Sequence, residues 1–91
     1  MNDKITINKE DGSVTVIFDT RFYPSDCVFK ASQDFSDVCF TSVDGQDIMQ
    51  VLLKPKTEEI DLYILGHEFY NYVLGIIKND GKVPEIVKGF R

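Results

Sequence analysis

Two Asp-Gly pairs, Asp11-Gly12 and Asp44-Gly45, constrain this chain most. Each lies between runs that alternate apolar and polar residues, which is the pattern of a β-hairpin. In a two-residue type I′ turn both central residues take positive φ, and Asp-Gly is well suited to it. Such a turn at Asp11-Gly12 pairs Ile7 with Val16 and Ile5 with Phe18. Ile5, Ile7, Val14, Val16 and Phe18 then share one face, because cross-strand partners do. The same turn at Asp44-Gly45 pairs Thr41 with Ile48, Phe40 with Met49 and Val38 with Val51. One face then holds Val38, Phe40, Met49, Val51 and Leu53. The other holds Cys39, Thr41, Val43, Ile48, Gln50 and Leu52. Pro55 ends the last strand.

Helical patterns separate and follow the hairpins. From Tyr23 to Phe35, Cys27, Val28, Ala31 and Phe35 recur at helical spacing. Pro24 suits the first turn, and Asp26 suits the positive end of the helix dipole. A longer helix is expected from a Thr57 cap to about Asn79, with Glu58, Glu59 and Asp61 in its first turn and Gly81 as its stop. Its stripe is Leu62, Leu65, Phe69, Val73 and Ile76. Gly66 falls on that stripe, which points to close approach of a neighbouring element. Val83, Ile86, Val87 and Phe90 suggest a short terminal helix.

The order β-β-α-β-β-α, with a short C-terminal helix, predicts one α+β domain over residues 1–91. Its sheet is four-stranded and mostly antiparallel, with the helices on one face. A right-handed split crossover gives the strand order 1-2-4-3, a ferredoxin-like arrangement with its last strand moved to the N-terminus. The alternative is 1-2-3-4. Either way, the second sheet face carries Ile17, Val43, Ile48 and Leu52 among polar neighbours. A half-apolar exposed face of this kind marks an association site. Tyr72, on the polar side of the long helix, is a further candidate, since tyrosine joins apolar area to a polar tip.

Composition narrows the partner. The chain has 91 residues, 43% hydrophobic and 27% charged, which suits one folded domain. A net charge of −5, with Lys and Arg scattered, argues against nucleic acid and anionic membrane surfaces. No apolar run reaches the ~20 residues of a membrane span. Met1 to Lys9 is polar and unlike a signal peptide, so the expected location is cytoplasmic.

No catalytic set emerges. His67 lacks a nucleophile and an orienting group in any recognisable pattern. Asp61 and Glu68 read as a solvated helix face. Cys27 and Cys39 fit no zinc spacing; the disulfide stays open on spacing, and reduced, buried thiols are the expectation. There is no phosphate loop and no nucleophile elbow. The expectation is a non-enzyme without metal or cofactor that binds a protein or peptide, or else forms a homodimer.

The chain also resembles the HxsD family of His-Xaa-Ser peptide-maturation systems. The likeness lies in Tyr23-Pro24, Val28, Lys30-Ala31, Phe35 and Asp37, then in Leu53-Lys54-Pro55-Lys56. It is sharpest in Glu68-Phe69-Tyr70-Asn71-Tyr72-Val73-Leu74, and it extends to Glu85-Ile86-Val87 with Phe90. The family's helix continues with Asp-Tyr-x-Leu-Arg, whereas this chain has Gly75-Ile76-Ile77-Lys78-Asn79. The resemblance implies an accessory role beside paired radical SAM maturases and a repeat-bearing precursor peptide. It supplies no binding residues.

Overall fold

The computed structural model describes residues 4–79. Strands β1 (Ile5–Asn8) and β2 (Ser13–Asp19) lead into helix α1 (Ser25–Asp34) and a single 3-10 turn, Phe35–Asp37. Strands β3 (Cys39–Asp44) and β4 (Ile48–Pro55) follow, then helix α2 (Leu62–Asn79). All strands are antiparallel to their neighbours, in the order β1-β2-β4-β3. The split arrangement holds, and the chain-order alternative is excluded. The expected terminal helix lies outside the described residues.

Both hairpins depart from the two-residue turn. In the first, Ile5 pairs with Val16, Ile7 with Val14 and Asn8 with Ser13, so the loop is Lys9 to Gly12. Asn8 decides this. Its side-chain Oδ1 accepts the Asp11 N–H at 3.1 Å, and its carbonyl accepts the Gly12 N–H at 2.9 Å. Only Gly12 is left-handed, at φ 69°, whereas a type I′ turn needs Asp11 there too. The slide is an even number of residues. Ile5, Ile7, Val14, Val16 and Phe18 therefore keep the common face expected of them.

The second hairpin slides by an odd number, which turns β3 over. Cys39 pairs with Pro55, Thr41 with Leu53 and Val43 with Val51, and the last pair is Asp44 with Gln50. Ile48 and Met49 pair instead with Asp19 and Phe18 of β2. The Asp47 carbonyl holds the loop there, accepting both the Thr20 N–H and the Thr20 hydroxyl at 3.0 Å. Cys39, Thr41 and Val43 thus face the helices, while Phe40 faces out and is 63% exposed. Val38 precedes the strand and is exposed as well. Phe35, half-buried, packs against the core, edge-on to Phe69 and Tyr72 at 5.0 and 5.3 Å.

The helices also start later than expected. Pro24 is the N-cap of α1, not part of its first turn. Thr57 to Ile60 form loop, and Asp61 caps α2, its Oδ1 accepting the Ile64 N–H at 3.1 Å. Both helices pack on one sheet face, α2 over β1 and β2 and α1 beside β3. The core between them includes Val14, Val16, Phe18, Met49, Val51 and Leu53 from the sheet. Val28, Ala31, Leu65, Phe69 and Val73 complete it from the helices. Gly66 sits where α2 meets the first hairpin. A Cβ there would lie 2.9 Å from Ile5 Cγ2 and 3.0 Å from Val14 Cγ2, so the close approach inferred for this glycine is real.

Candidate functional site

The face of the sheet away from the helices carries the exposed side chains of Phe40, Ile48 and Leu52; Phe22, Phe29, Val38, Tyr63, Ile64 and Tyr72 are exposed elsewhere. Ile48 and Leu52 alternate with Gln50 and Lys54 along β4. Half-buried Ile17 on β2 lies opposite Gln50, and Leu52 is flanked by Thr15 and Ser42. Phe40 on β3 pairs with Lys54. Diagonal neighbours across a sheet are within reach of long side chains. Ile17, Leu52 and Phe40 thus form a diagonal apolar row, with Ile48 beside its lower end. Each strand contributes through simple alternation: the residues between these ones, Val16, Met49, Val51 and Leu53, are fully buried on the helix side.

Three of the residues expected on this face, Ile17, Ile48 and Leu52, are there. Val43 is not. It pairs with Val51 on the helix side and packs against the core. The same reversal of β3 brings Phe40 onto the face, where the two-residue turn had placed it in the core. The signal that could have found it lies in β3's own alternation. Thr41 and Val43 are β-branched, and Cys39 is a typical buried residue.

The borders of the face are charged. The Lys56 ammonium stands over the Phe40 ring, 5.4 Å from its centroid. Lys54 lies 3.7 Å from Asp11. At the opposite end, the Arg21 guanidinium grips Asp19 through both carboxylate oxygens. That side chain and the Arg21 backbone N–H hold the Asp19 carboxyl down to about 2. Asp44 caps its own turn, accepting the Gly45 N–H at 2.9 Å.

Comparison with family models, with curated proteins and with solved structures gave no match.

Tyr72 lies apart from the sheet face. Its hydroxyl donates to Asp34 Oδ2 at 2.6 Å and its ring meets Phe35, so it ties α2 to α1. The Asp34 carboxylate pushes the phenol up from its ordinary range. Beside it a cleft of about 460 Å³ lies between the helices, lined by Lys30, Asn71, Gly75 and Ile76 among others.

A second polar cluster joins α1's entry to α2. The Tyr23 and Tyr70 hydroxyls share a short hydrogen bond. Lys4 reaches the Tyr23 hydroxyl at 3.4 Å and stands over both rings. Burial, and then the Tyr70 hydroxyl, push the Tyr23 phenol up, against the pull of Lys4. Phe18 packs edge-on to Tyr23 and stacks on Tyr70, at 5.3 and 5.8 Å, so the cluster seals that end of the core.

The remaining candidates are placed as follows. Cys27 and Cys39 are buried free thiols, and burial pushes the Cys39 thiol up despite the nearby Lys56 charge. A thiol so placed is a poor nucleophile. His67 is half-buried, with its ring 4.4 Å from that of Tyr63. Among the described residues, no three His, Cys, Asp or Glu side chains form a group that could hold a metal. No described helix is long and apolar enough to cross a membrane.

Proposed function

We propose that this chain is a non-catalytic accessory protein that binds a peptide or protein partner through the outer face of its sheet. The partner class is the one its resemblance to the HxsD family implies: a repeat-bearing precursor peptide or the radical SAM maturase that modifies it. The observation that carries the reading is the row of half-buried Ile17 with exposed Leu52 and Phe40, and Ile48 beside it, on an otherwise polar face. Apolar surface left in water costs about 25 cal/mol per Å² relative to burial, so a partner that covers these side chains gains from doing so. The edge strand β3 adjoins the row, and an extended segment could add to it while its side chains reach Phe40.

The test is Ile48→Glu combined with Leu52→Glu. Both residues face away from the core, so the double variant keeps its fold and its melting curve. Its affinity for the precursor peptide or maturase encoded beside the gene falls by at least about tenfold, measured by calorimetry or co-purification. Unchanged affinity in a folded double variant overturns the surface assignment. A gene neighbourhood without any radical SAM enzyme overturns the partner class.

A further inference from the structure

The charges around the outer sheet face are sorted by end. Where β4 finishes, Lys54 and Lys56 stand beside Phe40. Where β4 begins, Asp47 lies in the loop before Ile48, and Asp44 lies opposite Gln50. Asp19 adds nothing unpaired there, because Arg21 holds it at 2.6 Å, and Asp11 shares Lys54 at 3.7 Å. The asymmetry therefore rests mainly on Lys56 at one end and on Asp44 and Asp47 at the other.

We propose that a second copy of this chain docks on the face, the two sheets packed front to front about a two-fold axis that crosses the strands near Leu52. Front-to-front packing by a two-fold axis has two simple forms. An axis along the strands sets like ends together, Lys56 against Lys56 and Asp47 against Asp47. An axis across the strands reverses them. Leu52 then meets its own copy, and the acidic end of each protomer faces the basic end of the other. The charges select the second form, and the contact is isologous and closed. A sheet face of this kind packs on another sheet at about 10 Å.

The size of the face sets the strength. Strands of 4, 7, 6 and 8 residues, about 4.8 Å apart and rising about 3.3 Å per residue, give a face of roughly 400 Å². Two such faces bury roughly 800 Å², below the about 1,200 Å² at which stable specific interfaces begin. The dimer is therefore weak and dissociates on dilution, which leaves the face available to another partner. The inference rests on the proposed function only in taking this face as a docking surface.

Sedimentation of the full chain over a range of concentrations tests it, with charge-exchange variants. Wild type dimerises in a concentration- and salt-dependent way. Lys54→Asp with Lys56→Asp makes both ends acidic, and Asp44→Lys with Asp47→Lys makes both basic. Each variant weakens dimerisation by at least about tenfold, and an equimolar mixture of the two restores it as a heterodimer. Asp47→Lys alone serves if loss of the Asp44 turn cap unfolds the pair. A wild type that stays monomeric at millimolar concentration overturns the proposal, as does a mixture that stays monomeric or a dimer that survives Ile48→Glu with Leu52→Glu. A monomer that still binds the precursor or maturase leaves the proposed function standing, and a dimer that binds neither leaves only this inference.

Discussion

Gly66 and Gly75 stand in the same helix and in opposite surroundings. At Gly66 an added methyl meets the γ-methyls of Ile5 and Val14, both on stiff β-branched side chains. At Gly75 nothing lies within 4 Å. Alanine in a helix interior is favoured over glycine by about 1 kcal/mol. Gly75→Ala should therefore raise stability by up to about that amount. Gly66→Ala should lower it by roughly 1–3 kcal/mol, because overpacking outweighs propensity. Denaturant midpoints of the two variants check the opposite signs. The Asp19–Arg21 pair gives a second prediction. The folded carboxyl titrates near 2, below its ordinary 3.8. Whatever stability it contributes is thus complete above the ordinary carboxylate range and is lost as pH falls through about 2. Carboxyl NMR should show that midpoint, and Arg21→Ala should move it up towards 3.8.

Among the elements, α2 tests whether a cap read from sequence is the cap used. Thr57, followed by Glu58 and Glu59, looks like a helix start, yet the chain enters the helix only at Leu62. Asp61→Ala should cost roughly 0.5–2 kcal/mol, whereas Thr57→Ala should cost close to nothing. Thermal melts of the two variants distinguish the caps. The hairpins were legible in kind and in partner, but not in register. Asp-Gly announced each turn, and a glycine in the left-handed region is found at both. What sequence could not weigh was competition from outside the dipeptide: the Asn8 side chain in the first hairpin, and Thr20 reaching across to Asp47 in the second. An even slide is harmless to the faces, and an odd one exchanges them. That is why Ile5 and Phe18 were placed correctly, while Val43 and Phe40 changed places. The candidate surface was legible on β2 and β4, where alternation alone decides it, and was misread on β3, where the decision passed through a turn.

For the whole molecule, the one-sided placement of the helices followed from the order of elements, while the handedness of the crossover favoured the strand order that the structure shows over the chain-order alternative left open. They are insensitive to the length of either turn, so the errors in register did not reach them. The same order has a consequence in time. The central partner of β2 is β4, which lies far along the chain, with α1 and β3 between them. The first hairpin can close as soon as it exists, but the pairings that bury Val14, Val16 and Phe18 wait for Val51, Leu53 and Met49. Closing so long a loop is an entropic cost met before the contact rewards it. Trimming Val16 or Val51 to Ala should accordingly slow refolding in stopped-flow measurements, while Ile76→Val should mainly quicken unfolding. On a ribosome, a nascent chain that ends before Ile48 holds its first hairpin with the apolar side uncovered, and that side is closed only once β4 and then α2 have emerged.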